Sequence, residues 1–156
     1  MKIERLKNVS FNNRNKQIEV HYLSGKKVIF HFGQIGFKQN IIRAWVDQET
    51  GKRTIGFEFD NGTKEYMPYD QPLALVRDPE FLLQTDIEVL IAKIKKELER
   101  QKISKRFLAN QLHTSDNQIQ RLLNPKILNK NLEQLYQIAS LLGLKFELRL
   151  KSASGF

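Results

Sequence analysis

SKRFLANQLHTSDNQIQRLLNP, residues 104–125, is the stretch on which the reading of this chain turns. Ser104 is an N-cap by residue type, and Leu108, Ala109 and Leu112 follow it as the inward stripe of a short helix. His113-Thr114 interrupts the pattern as a tight turn. Ser115 and Gln118 then form a capping box, S/T-x-x-Q, that opens a second short helix with Ile119 and Leu122 inward. Ala109 is small enough to let the two helices cross closely.

The second helix has an unusual outer face. With Ile119 inward and ~100° per residue, Asn117 and Arg121 point about 160° away from it, Asn124 about 140°, and Gln118 and Gln120 flank it at about 100°. The outer surface is therefore amides and one guanidinium. In the major groove, Arg is bidentate to guanine and Asn or Gln to adenine. A merely solvated helix of a basic chain would more often show Lys and Glu there. The base-contacting candidates are Asp116, Asn117, Gln118, Gln120 and Arg121. Asp116 is repelled by phosphate unless it accepts from a cytosine amine. The N-terminus of the first helix can offer backbone amides to phosphate, at Ser104 and Lys105. Arg106, Asn124, Lys126 and Lys130 complete the phosphate-contacting candidates. Each lysine taken singly also reads as ordinary solvated charge.

This helix-turn-helix resembles the Xre family of Cro- and repressor-like DNA-binding domains over about residues 86–143. IQRLLNPK at 119–126, followed by LEQLYQIASLLGLKFELRL at 132–150, is similar to the version in many addiction-module antitoxins and related phage or plasmid regulators. The sequence departs from the family at His113, where glycine is usual, and at Asp116. The resemblance implies a regulator of transcription, a dimeric repressor on double-stranded DNA. The alternative is an antitoxin that neutralises a toxin and represses its own operon.

Around this motif the period is helical from Thr85 onward. Thr85 and Glu88 read as a capping box, and Ile87, Leu90, Ile91, Ile94 and Leu98 follow at helical spacing. Asn131 caps a later helix with Leu132, Leu135, Ile138, Ala139 and Leu142 inward, and Gly143 ends it. After Gly143 the period becomes two: Leu144, Phe146, Leu148 and Leu150 alternate with Lys145, Glu147, Arg149 and Lys151. A lone apolar strand must pair with something. The resemblance implies the partner protomer of a homodimer; docking on an N-terminal sheet is the other reading.

The first ~67 residues alternate as strands. Ile18, Val20 and Tyr22 precede Ser24-Gly25, and Val28, Phe30 and Phe32 follow it. A three-residue loop, Ser24 to Lys26, pairs Tyr22 with Val28, Val20 with Phe30 and Ile18 with Phe32, and brings Glu19 opposite His31. Asn61-Gly62 marks a second hairpin between Ile55-Phe57-Phe59 and Glu65-Tyr66-Met67. A strand at 41–46 reaches it through Glu49-Thr50-Gly51, and Pro68 ends the pattern. Residues 70–83 read as two short helical pieces, with Asp78-Pro79 as N-cap and first helical position.

The expected fold class is α+β: a small antiparallel β-sheet domain at 1–84, then an all-helical helix-turn-helix domain at 85–156 with a C-terminal dimerising strand. The 156 residues carry 26 Lys+Arg against 17 Asp+Glu, a net charge of +9. Residues 1–84 hold 13 against 10 and residues 85–156 hold 13 against 7, so the helical half carries most of the excess. Such a balance favours polyanions. No run approaches the ~18 apolar residues of a membrane helix, and MKIERLKNVSF lacks the apolar run of a secretory signal. A cytoplasmic protein with no membrane association is expected. Cysteine is absent, which excludes disulfides and thiolate chemistry. His21, His31 and His113 fall in no metal-binding spacing, and no nucleophile-elbow, Walker or dinucleotide motif is present. Neither an enzyme nor a cofactor is expected. The aromatic residues Tyr22, Phe30, Phe32, Trp45, Phe57, Phe59 and Tyr66 have the types of a single-stranded nucleic-acid platform, but core packing accounts better for most of them. The N-terminal domain reads next as a surface for a toxin or other protein partner, and after that as a small-ligand sensor.

Overall fold

The computed structural model describes residues 4–153. Residues 1–3 and 154–156, the outer ends of the two expected domains, lie outside the described residues. The architecture is α+β, with two three-stranded antiparallel sheets and five α-helices among the described residues. The strands are β1 (Leu6–Asn12), β2 (Gln17–Tyr22), β3 (Lys27–His31), β4 (Ile41–Val46), β5 (Thr54–Phe59) and β6 (Lys64–Pro68). The helices are α1 (Gln71–Leu75), α2 (Pro79–Gln101), α3 (Lys105–Gln111), α4 (Asp116–Leu122) and α5 (Leu132–Leu141). The chain divides into two compact units between Leu82 and Leu83, within α2. No described helix is long and apolar enough to cross a membrane.

In the first unit the sheets run β1-β2-β3 and β4-β5-β6. Alternation places Ile18, Val20, Val28, Phe30, Ile55, Phe57 and Phe59 in one apolar core. The first hairpin differs from the expected register by two residues. Val20 lies opposite Val28 and Ile18 opposite Phe30. The loop is Leu23-Ser24-Gly25, closed by the Gly25 N–H on the Tyr22 carbonyl and the Tyr22 N–H on the Lys26 carbonyl. Gly25 takes φ +93°, the left-handed residue of a three-residue hairpin loop. A shift of two keeps every side chain on its face, so the apolar pattern alone cannot select between the registers. Glu19 accordingly lies opposite Ile29, not His31. Its carboxylate instead hydrogen-bonds His21 Nε2 at 2.6 Å.

β1 escaped the alternation reading because of a bulge between Leu6 and Asn8. The bulge changes parity: Leu6 is buried, and Val9 and Phe11 then pack on the core. A second bulge in β4, between Ile41 and Arg43, does the same and leaves Ile42 58% exposed. The aromatic residues divide as core packing requires. Tyr22, Phe30, Phe32, Phe57 and Phe59 are buried. Trp45 instead lies flat over Gly56, where an added Cβ would meet the indole at 2.2 Å. Tyr66 stands edge-on to that indole at 6.0 Å and the Arg43 guanidinium 4.4 Å from its ring centre.

Asp78 caps α2 as its sequence position predicts: its Oδ2 accepts from the Phe81 N–H at 3.0 Å. The same oxygen accepts from Lys26 Nζ at 2.9 Å, and Glu80 accepts from that ammonium at 3.3 Å. The helix so started runs unbroken for 23 residues. Thr85, expected to cap a new helix, therefore lies inside α2. Glu80-Phe81-Leu82-Leu83-Gln84 contains no breaker, so nothing ends the helix that Asp78-Pro79 starts.

In the second unit, Ile87, Ile91, Ile94 and Leu98 of α2 form one apolar cluster with Leu108, Ile119, Leu122, Leu135 and Ile138. Leu132 departs from the inward set: it is 50% exposed, on the first turn of α5. Residues Leu144–Leu150, expected as a strand, carry no ladder in this structure. A strand needs a hydrogen-bonding neighbour, and every other described element of this unit is helix or loop. Lys145 and Arg149 both pair with Glu147 at 2.7 Å. Leu148 is 62% exposed, and Leu150 is fully so.

The Lys26–Asp78 pair predicts a pH-dependent contribution to stability. Desolvation pulls Lys26 down, but hydrogen bonds to Asp78 and Glu80 outweigh it and hold the ammonium above its ordinary value. Desolvation pushes Asp78 up, but the Lys26 and Phe81 hydrogen bonds outweigh it and hold the carboxyl below the usual 3.8. A depressed carboxyl contributes stability above its unfolded pKa and loses it as pH falls through the folded one. A raised lysine contributes below its unfolded pKa and loses it as pH rises through the folded one. Lys26→Met is therefore expected to cost about 0.5–1 kcal/mol near neutral pH, with the difference closing in acid below the Asp78 range. Urea denaturation of parent and variant at both pH values checks this; an equal difference at both would assign the loss to packing.

Candidate nucleic-acid interface

The segment 104–125 forms the two short helices that its caps predict. Ser104 Oγ accepts from the Phe107 N–H at 3.1 Å and starts α3. Ser115 Oγ accepts from the Gln118 N–H at 3.2 Å and starts α4. Between them the chain reverses in one left-handed residue. The Thr114 N–H bonds the Ala109 carbonyl at 2.9 Å and the His113 N–H the Asn110 carbonyl at 3.3 Å. This is the Schellman closure of a helix end, with His113 at φ 54° where glycine is the unstrained choice.

Leu108 and Ile119 are fully buried, and Ala109, Leu122 and Leu123 nearly so. This fixes the rotation of α4. Asp116, Asn117, Gln118, Gln120 and Arg121 are all exposed, as the helical period predicts. Asn117, Gln120 and Arg121 come together with Asn124 and Ile127 around a shallow open depression of about 410 Å³. Three amides, a guanidinium and an aliphatic side chain at its rim match the hydrogen-bonding and methyl groups of major-groove base edges. Ile127 lies beyond the helix, where the helical period cannot find it.

The phosphate-contact candidates divide. Lys105, Arg106 and Lys126 are exposed. Ser104 is exposed too, with its hydroxyl oxygen engaged as the α3 cap. Asn124 is half-buried, and its side-chain oxygen accepts from the Lys126 N–H at 2.9 Å, an Asx turn that shapes the loop. Lys130 is turned inward. Its Nζ donates to the carbonyls of Arg121 at 2.9 Å and Asn124 at 2.7 Å. Burial, and then the charges of Lys95 and Arg121, hold its ammonium below the ordinary lysine value.

A second concavity of about 970 Å³ lies between α2, α5 and the segment after Gly143. Leu83, Leu90, Leu132, Phe146 and Leu148 line it. Phe146 packs edge-on against Tyr136, with ring centres 4.6 Å apart. Leu132, placed inward by the helical period, borders this groove. The end of α2 is tied to the end of α5 by Gln101 Nε2, which donates to the Leu142 carbonyl at 2.8 Å.

Comparison of the chain with protein-family models, curated proteins and solved structures finds no match. Among the described residues no group of three or more His, Asp or Glu side chains could hold a metal ion.

The left-handed His113 generates a stability prediction. A non-glycine residue in this conformation is strained by its Cβ. His113→Gly is expected to stabilise the protein by about 0.5–1 kcal/mol, whereas His113→Ala, which keeps the Cβ, gives no such gain. Denaturation midpoints of the three proteins check this; a destabilised glycine variant would mean that the imidazole makes a compensating contact.

Proposed function

We propose that the protein is a sequence-specific double-stranded DNA-binding regulator of transcription, a cytoplasmic dimeric repressor that reads the major groove with α4. On this reading, residues from about 85 onward are a helix-turn-helix domain that follows a β-rich N-terminal domain. The observation that carries it is the face of α4: Asn117, Gln118, Gln120 and Arg121 exposed around a fully buried Ile119. Lys105 and Arg106 on α3 and Lys126 after α4 are exposed cations available to phosphate. The charge excess of residues 85–156 supports the same polyanionic partner.

The dimer contact of this proposal is Leu144–Leu150. Its charged side is already organised within the segment, as Lys145 and Arg149 on Glu147. Its apolar side leaves Leu148 and Leu150 open to water. Two copies paired antiparallel with Leu148 on the dyad bring Glu147 opposite Arg149 of the other copy twice. Each such pair contributes roughly 0.2–1 kcal/mol. The apolar side chains contribute more, about 1.5–3 kcal/mol for each one fully buried. A dyad-related pair of α4 helices suits a palindromic site.

A second reading, an antitoxin that also holds a protein toxin, is favoured by the outer face of β4-β5-β6. Arg43, Trp45 and Tyr66 are the residue types that dominate protein interfaces. Co-purification of a partner with the parent chain, lost in Trp45→Ala, would select this reading.

Two outcomes test the principal one. Arg121→Ala should cost about 1–3 kcal/mol at the selected site and relax preference at one base position. Binding-site selection with parent and variant checks it; an equal loss on all sequences would place Arg121 on phosphate. Replacing Phe146 and Leu148 together with Asp should give folded monomers with far weaker binding to a palindromic duplex. Sedimentation, with circular dichroism to confirm folding, decides this; a folded dimer would place the contact elsewhere.

A further inference from the structure

Helix α4 ends differently from the other α-helices. The last carbonyls of a helix lack partners within it and need donors from outside. At the ends of α1, α2, α3 and α5 a residue in the left-handed region supplies them by turning the chain back. Those residues are Arg77 at φ 52°, Lys102 at 57°, His113 at 54° and Gly143 at 72°. After α4 no residue takes that conformation. Its C-cap is Leu123 at φ −88°, and Asn124 stands directly before Pro125, which biases it toward extended backbone. The Asn124 N–H still bonds the Arg121 carbonyl at 3.3 Å, but Pro125 has no N–H to return to the helix, so the closure that serves the other helices is only half made.

Lys130 reinforces this end from outside the helix. Its ammonium donates to the Arg121 carbonyl at 2.9 Å and the Asn124 carbonyl at 2.7 Å. The Ile127 N–H adds a bond to the Asn124 carbonyl at 3.2 Å. A cation is also the favourable charge at this end of a helix, where the peptide dipoles leave negative potential. Two of the three ammonium protons are committed to these bonds. The ammonium is partly withdrawn from water, unlike the exposed Lys105 and Lys126.

We propose that Lys130 is the positioning residue of the reading helix: by clamping the carbonyls of Arg121 and Asn124 it fixes the last turn of α4, and with it the aim of the Arg121 side chain. It does this instead of contacting phosphate. The consequence for DNA rests on α4 being the reading helix; the clamp itself does not.

The test compares the parent chain with Lys130→Met, which keeps much of the stem but has no donor, and Lys130→Arg, which keeps charge and donors. The first measurement is amide hydrogen exchange over residues 121–127 without DNA. Exchange there should accelerate by about tenfold in Lys130→Met, remain close to the parent in Lys130→Arg, and be unchanged in α2. The second is binding to a selected duplex at several salt concentrations. Lys130→Met should lose discrimination at the base that Arg121 reads while its salt slope stays that of the parent. Unchanged exchange, or a salt slope reduced by about one with discrimination intact, would overturn the proposal and make Lys130 a phosphate contact. If the parent selects no duplex, the DNA reading fails, and the exchange measurement still decides the clamp.

Discussion

Burial of Ile119 sets the rotation of α4, and the candidate site follows from that rotation. Ile119 is the inward residue of a helix only 7 residues long, and it belongs to the same apolar cluster as Leu108, Ile91 and Ile138. Burying such a side chain is worth about 1.5–3 kcal/mol. Turning α4 to hide its amides would expose Ile119 and Leu122 and bury Asn or Gln without partners, a double loss. The polar face is therefore held outward by the core rather than by its own hydrogen bonds. That is a suitable basis for a surface that must exchange water for a ligand.

The ends of the helices hold this arrangement in register. Ser104, Ser115 and Asn131 cap three successive helices by accepting from an amide three residues on. Left-handed residues close most of the C-terminal ends, and Lys130 reinforces the remaining one. In a unit built from helices of 7, 7 and 10 residues after α2, isolated helix formation is marginal. Caps and core burial together make the short helices stable. The first unit relies on the same kind of local chemistry: Gly25 and Gly62 set its hairpin loops, and Lys26 joins the first of them to the cap of α2.

Much of this was legible in the sequence because caps and periods are local. The three N-caps, the outward face of α4, the strand at 41–46, the Asn61-Gly62 hairpin and the Asp78-Pro79 helix start could all be read from neighbouring residues. What could not be read has physical reasons. A register shift of two in the first hairpin preserves both faces, and only the turn decides it. The bulges in β1 and β4 invert parity and hide the alternation. Thr85-x-x-Glu88 has the letters of a capping box, yet nothing upstream stops the helix that already contains it. Leu144–Leu150 has the period of a strand, but a period does not supply a neighbouring strand. Lys130 is separated from α4 by the loop, so its contact with the Arg121 carbonyl has no sequence signature.

The proposed role of α4 is to read base edges in the major groove. Dimethyl sulfate footprinting of the full chain on a duplex selected from a random pool tests it most directly, since the reagent reports guanine N7 in the major groove and adenine N3 in the minor groove. The chain is expected to select a short site, with guanine N7 positions within it protected by the parent and open in Arg121→Ala. Failure to select any site, or protection confined to adenine N3, would contradict it.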